Sequence, residues 1–329
     1  MTMTPEIIAV IALALLFDFL NGIHDSSNVV ATMISSRALS PRVALGLTAL
    51  ANFLGPFILG VAVAKTIGEE IVAADAINER VLLAALSAAV FWNLATWYLG
   101  IPSSSSHTLF GGFIGAVGIG AGWQAIHLGG LEKILIALFV SPLLGFAAGY
   151  IILRVTILLS WSTTPRINGF FRKSQVATAL ALALSHGTND AQKTMGLITL
   201  ALLINGNIDT FDVPLWVIAA CALMIGLGTA LGGWRLIRTL GGKFYKIRPV
   251  DGFAAQLASS AVILGASLVG GPVSTTQVVS SAIMGVGTAE RANKVRWGVA
   301  QDIIFTWVLT IPVSVALAAG IYLLLERIL

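Results

Sequence analysis

Two carboxylates, Asp25 and Asp190, lie inside stretches that are otherwise apolar enough to cross a membrane. Each sits in a short polar run: Gly22–Asn28 reads GIHDSSN and Gly187–Lys193 reads GTNDAQK. An ionised group at such a place is costly unless it is paired or faces water. Around them, Asn21, Ser26, Asn28, Thr188 and Asn189 offer neutral amide and hydroxyl oxygens, a mixture suited to a hard monovalent cation, with sodium preferred over protons. Unwound backbone carbonyls are expected to complete such sites. A competing reading has each Asp cap a half-helix beyond a break, which is compatible with cation binding. Lys193 either neutralises Asp190, three residues earlier, or attracts an anion.

A second pair of runs suits an anion. PSSSSHT at Pro102–Thr108 is matched by PVSTTQV at Pro272–Val278. A helix opening at either proline leaves its first amide donors unsatisfied at the positive end of its dipole. Ser104, Ser105, Ser106 and Thr108, and in the second run Ser274, Thr275 and Thr276, add hydroxyl donors there, a setting for a small oxyanion. The alternative is that these hydroxyls bond back to helix carbonyls or hold helices together. His107 and Gln277 occupy equivalent positions and are expected to orient ligand groups by hydrogen bonding, as His24 does beside Asp25.

The elements that position these residues come in two copies. The polar runs recur at offsets of 165 (22 to 187) and 170 (102 to 272), about half of the 329-residue chain. Residues 1–160 are read as one repeat, 161–175 as a cytoplasmic linker and 176–329 as a second repeat. With 57% hydrophobic and 10% charged residues and a mean hydropathy of +0.92, the chain is an integral membrane protein. Apolar stretches near 5–34, 43–64, 81–101, 102–124, 131–160, 176–205, 213–237, 253–271, 272–289 and 298–325 each approach the length of a spanning helix. The N-terminal stretch is read as the first of these and not as a removed signal. The first and sixth are expected to break at their acidic runs, and the fourth and ninth to form broken helices or re-entrant hairpins. The fold class is all-α, an inverted-topology repeat of about 10–12 membrane helices.

Loop charge fixes the orientation. Arg37, Arg42, Arg166, Arg172, Lys173, Arg235, Arg238, Lys243, Lys246, Arg248, Arg291, Lys294 and Arg296 are assigned to the cytoplasm. Glu69, Glu70, Asp75, Glu79, Asp209 and Asp212 are assigned outside. Ten crossings, five per half, satisfy this map with both termini outside, and an odd number per half inverts the second copy. KTIGEE at Lys65–Glu70 and RTLGGK at Arg238–Lys243 then match in sequence on opposite sides. The net charge of +4 forms no basic tract for nucleic acid, and the single Cys221 excludes an intrachain disulfide or a CxxC metal site. No HExxH or P-loop pattern points to an enzyme.

The paired runs resemble those of the inorganic phosphate transporters of the PiT type. That family's signatures read approximately GANDxAN and HGxNDxQKxMG, and here stand GIHDSSN and, at His186–Gly196, HGTNDAQKTMG. Its PxSTT[HQ] element is matched by PSSSSH and PVSTTQ, and its WxxTxP tail by Trp307–Pro312. The resemblance implies cation-coupled import of inorganic phosphate across the cell membrane by an inverted-repeat protein, often a homodimer. No cofactor is implied beyond the co-transported ion. Residue by residue, Asp25, Asn28, Asn189 and Asp190 are expected to share cation coordination and phosphate contact, and Ser104, Ser105, Ser274 and Thr275 to hold phosphate. His24 stands where the family usually has asparagine, which keeps proton coupling open beside sodium. A sulfate or other oxyanion symporter and a passive anion channel are the alternatives.

Overall fold

The structure is a computed structural model that describes residues 3–70, 77–101, 103–164, 166–234, 237 and 247–328. Its described regular elements are helical: α1 (Pro5–Ser35), α2 (Pro41–Leu59), α3 (Ala62–Glu69), α4 (Glu79–Leu99), α5 (Ser105–Gly120), α6 (Leu128–Leu159), α7 (Ile167–Ile204), α8 (Leu215–Leu231), α9 (Pro249–Leu268), α10 (Thr275–Arg291) and α11 (Trp297–Ile328). Local signals set their ends. Proline opens α1, α2 and α9, where its missing N–H goes unneeded. Thr4 and Asn78 cap α1 and α4 by accepting from Ile7 N and Val81 N. Gly100 at φ 69° ends α4 in the left-handed region. Helices α1, α2, α4, α6, α9 and α11 are long and apolar enough to cross a membrane, and α8 is a shorter apolar helix.

At the centre α1 and α7 run antiparallel. Thr194 Oγ1 donates to Asp18 Oδ1 at 2.6 Å, and farther along His186 reaches Asp25, which fixes the direction. Helix α8 lies against α1 and α2 against α7. Gly22 and Gly187 make these approaches possible: a Cβ on Gly22 would stand 2.9 Å from Thr229 N, and one on Gly187 2.6 Å from Asn52 Cα. The signature glycines therefore serve helix packing.

Helices α4 and α5 form a hairpin, with Gly112 of α5 packed on Ala85 of α4. Helices α9 and α10 form another, whose open end is joined by Arg248 and Glu290 at 3.2 Å. Both hairpins are re-entrant, because their tips meet inside the molecule: Ser104 Oγ and Ser274 Oγ are 2.8 Å apart and both residues are buried. Each hairpin packs on the long helix of the other half, α5 on α11 and α10 on α6.

This changes the expected crossing count. Ser103 and Ser104 at one tip and Val273 and Ser274 at the other, assigned to opposite membrane surfaces by a ten-crossing scheme, are at the centre. Outside the hairpins, the described helices left to cross are α1, α2 with α3, and α6 in the first half and α7, α8 and α11 in the second. Three per half is again odd, so the second half stays inverted and the loop-charge assignment remains an expectation consistent with this count. Ser36 and Gln175 bond at 2.7 Å at the basic end, while Thr4 and Asn205 bond at 3.2 Å at the acidic end. Helix α7 already begins at Ile167, within the 161–175 stretch. Pro102, Asp75, Arg235, Arg238, Lys243 and Lys246 lie outside the described residues, and with them the KTIGEE and RTLGGK pairing.

The expected breaks at the acidic runs do not occur: α1 and α7 are continuous through Asp25 and Asp190. The reason is that side chains from other elements already satisfy the carboxylates. Ser26, Ser27 and Thr188 in turn donate to carbonyls of their own helices. The interruptions fall beside these helices instead. Gly60 at φ 81° separates α2 from α3, and Gly232 at φ 74° ends α8. Gln192 fills the first break, accepting from Val63 N at 2.7 Å and donating to Gly60 O at 2.7 Å. Ser26 fills the second, accepting from Gly233 N at 2.7 Å.

Candidate functional site

The site forms where the two hairpin tips meet α1 and α7. Ser104 caps α5 by accepting from His107 N at 3.1 Å, and Ser274 caps α10 by accepting from Gln277 N at 3.3 Å. Two helix N-termini thereby converge from opposite halves, each with its positive dipole end toward Asp25 and Asp190.

Asp25 Oδ1 accepts from Thr276 Oγ1 at 2.8 Å and lies 2.9 Å from His24 Nδ1. Its Oδ2 faces Ser105 Oγ at 3.4 Å and Thr275 Oγ1 at 3.5 Å. Asn28 supports the arrangement, its Nδ2 donating to Thr276 Oγ1 at 3.0 Å. Asp190 Oδ2 accepts from Thr275 Oγ1 at 2.9 Å, and its Oδ1 is paired with Lys193 Nζ. Lys193 Nζ also donates to Ser106 Oγ at 2.7 Å and Val273 O at 2.8 Å. Asp25, Asp190 and Lys193 are all buried, as are the hydroxyl residues around them. The centre is occluded from both sides.

The structure therefore brings together Asp25, Asp190, Lys193, Asn28, His24, Ser104, Ser105, Ser106, Ser274, Thr275 and Thr276. Of the two readings of Lys193, neutralisation of Asp190 is the one realised. Other expected residues stand apart. Thr108 Oγ1 donates to Ser104 O at 2.9 Å, one turn back in α5, so this hydroxyl is committed to its own helix and does not face the carboxylates. Asn189 Nδ2 donates to Ser267 Oγ at 2.8 Å and Gly271 O at 3.2 Å, tying α7 to the second hairpin. His107 and Gln277 bind each other, Gln277 Nε2 to His107 Nε2 being 3.3 Å, and His107 Nδ1 reaches Trp307 O at 3.2 Å. They clamp the hairpins to one another and to α11. Asn21 lies one turn of α1 before Asp25, and α1 and α7 present no unwound carbonyl at either acid because neither helix unwinds there.

Sequence reasoning missed His186. Its Nε2 lies 3.0 Å from Asp190 Oδ2 and 3.7 Å from Asp25 Oδ2, and its Nδ1 bonds Asn52 Oδ1 at 3.2 Å. The signal was present: His186 precedes Asp190 by one helical turn and stands 165 residues after Asn21, the equivalent position. Asp25, His186 and Asp190 present ligand atoms within 4.8 Å of one another, close enough for one cation to bridge them.

Six crossings around an occluded polar centre, closed by two re-entrant tips from inverted halves, define a multi-pass membrane carrier. A family model described as "Phosphate transporter family" matches residues 21–318, and the chain belongs to that family. It is 46% identical to a probable low-affinity inorganic phosphate transporter of Bacillus subtilis over 98% of this chain and 97% of the relative. It is 41% identical to one of Rhizobium meliloti over 97% and 96%. Among solved structures, "The sodium-dependent phosphate transporter" has the same fold, with a TM-score of 0.92 at 24% identity, covering 99% of this chain and all of that one. The protein is a phosphate transporter and not an enzyme.

Proposed function

We propose that the protein imports hydrogen phosphate together with sodium, at the centre formed by Asp25, Asp190, Lys193 and the hairpin hydroxyls. The observation that carries this reading is that Ser105, Thr275 and Thr276 direct their hydroxyls at carboxylates. A carboxylate is itself an oxyanion, so the same donors and helix N-termini suit phosphate oxygens. Lys193 adds an ammonium group.

The arrangement supplies a coupling rule. A hydroxyl has a single proton to donate. When Thr275 and Thr276 turn to phosphate, Asp190 and Asp25 each lose a donor, and a cation beside the carboxylates restores the balance. Phosphate and cation then favour each other's binding reciprocally. Hydrogen phosphate can also donate its proton to a carboxylate, which fully ionised sulfate cannot do. The described relative of known structure is a sodium-dependent transporter, and its shared fold is compatible with this choice. A homodimer in the membrane belongs to the same reading, and the mass of the particle in native nanodiscs tests it. Labelled phosphate uptake into proteoliposomes tests coupling: an inward sodium gradient should drive accumulation that excess sulfate does not compete away. Equal accumulation in sodium-free buffer under a pH gradient would replace sodium by protons and make His24 the first residue to mutate.

A further inference from the structure

We propose that Asp18 binds a second sodium ion, at a site in the outer half of α1 separate from the phosphate centre. The inference rests on the sodium-coupled reading above. Asp18 is fully buried and lies seven residues before Asp25, two turns along the same face of α1 and about 10 Å away along its axis. Its Oδ1 accepts from Thr194 Oγ1 at 2.6 Å, while its Oδ2 has no hydrogen-bond donor among the described residues. One turn on, Asn21 is also buried, and its Oδ1 likewise has no donor. Asp18 Oδ2 and Asn21 Oδ1, one turn apart on α1, together with the Thr194 hydroxyl oxygen of α7, offer a ligand set for a hard monovalent cation.

Charge separates this site from the central one. A buried carboxylate is stable only with a compensating partner. Asp190 has one, because Lys193 binds it, and its other oxygen is held by Thr275 and approached by His186. Asp25 faces hydroxyls and two imidazoles but no lysine or arginine, and Asp18 faces a single hydroxyl, which leaves these two acids for a transported ion to balance. Twofold symmetry of the sequence runs suggests one ion at each signature Asp, and the structure argues against it. The counterpart of Asp18 in the second half, 165 residues on, is Ala183, and that of Asn21 is His186. The second site therefore occurs once, on the outer side, where an entering ion would reach it before Asp25.

Asp18→Asn is the test, in proteoliposomes and in purified protein. In uptake at saturating phosphate, the sodium half-saturation should rise by about tenfold or more and the sodium Hill coefficient should fall to about one. Phosphate half-saturation at saturating sodium should change much less. In detergent with choline as the only cation, Asp18→Asn should melt no lower than the wild type, because an amide of the same size replaces a buried carboxyl that has no cationic partner among the described residues and can still accept from Thr194. It should also lose the part of the sodium-induced rise in melting temperature that Asp25→Asn retains. A wild-type Hill coefficient and undiminished sodium stabilisation in Asp18→Asn would overturn the site. A variant that melts low in choline and gains as much from sodium as the wild type would also overturn it, by showing a packing role. Absence of any sodium effect on wild-type uptake would instead overturn the coupling reading beneath it.

Discussion

Thr275 and Thr276 each have one proton to donate, and in the occluded centre they give it to Asp190 and Asp25. Thr108, which looks equivalent in sequence, gives its proton to the Ser104 carbonyl. The two classes should separate on mutation. Thr275→Ala removes a hydrogen bond to a charged acceptor, an effect of about 1.5–3 kcal/mol, and should raise the phosphate half-saturation by about ten- to a hundredfold. Thr108→Val should leave it nearly unchanged, and a large effect there would place the anion lower in α5 than proposed. Asp25→Asn should abolish most concentrative uptake while the protein still reaches the membrane. Asp190→Asn should do so as well, with an added loss of stability, since it leaves Lys193 buried without its carboxylate. Expression matching the wild type in Asp190→Asn would contradict the ion pair. Much of this centre was legible in the sequence because charged and hydroxyl residues stand out against an apolar background. His186, Asp18 and Gln192 were not, since a single polar residue in a helix shows neither its direction nor which break or acid it meets.

At the scale of elements, the two halves match in fold and differ in what seals them. Along α7 and α9, Thr178 bonds Gln256 at 2.6 Å, Ser185 bonds Ser260 at 3.2 Å and Asn189 bonds Ser267 at 2.8 Å. Gln256 continues the seam to Thr32 of α1 at 2.8 Å. Of the equivalent pairs of α1 and α4, 165 and 170 residues earlier, the outer two are apolar, Leu13 with Leu86 and Leu20 with Val90, and only the one beside the centre, His24 with Trp97, carries a polar side chain on α1. Parting a hydrogen-bonded seam exchanges its bonds for bonds to water at a net of about 0.5–1.5 kcal/mol each. Parting the apolar seam exposes hydrocarbon at about 25 cal/mol per Å². The cytoplasmic side should therefore open more readily than the outer side. In a Cys221→Ala background, Ser260→Cys should react with a thiol reagent applied from the cytoplasmic face faster than Val90→Cys reacts from outside. The opposite order would contradict the assignment of the polar seam as the easier gate. The helix breaks were misplaced in sequence for a related reason. Ser26, Asn28 and Thr188 look like helix breakers within an apolar run, yet each has a partner that leaves the helix intact, whereas Gly60 and Gly232 carry no polar signal at all.

For the whole molecule, the tip-to-tip contact of the hairpins decides the topology. Composition could not distinguish a short span from half of a hairpin, because α5 and α10 are as apolar or as small-residue-rich as crossing helices and the Ser104 to Ser274 contact shows where they stop. A cysteine at Ser103, buried at the first tip, should resist impermeant reagents from both faces, whereas ten crossings would expose it to the cytoplasm. On the proposed coupling, substrate and ion move together through the one centre that both tips seal. Hydrogen phosphate entering against an inside-negative potential costs about 4.6 kcal/mol per 100 mV, since each charge contributes about 2.3, and two sodium ions cancel that. The most direct measurement is the phosphate ratio across proteoliposome membranes at which net flux stops, taken over a series of imposed sodium ratios at clamped voltage. Coupling of two sodium ions to each hydrogen phosphate predicts that this ratio follows the square of the sodium ratio and does not shift with voltage. A ratio that stays at the passive value whatever the sodium gradient would show that phosphate crosses uncoupled and would contradict the account.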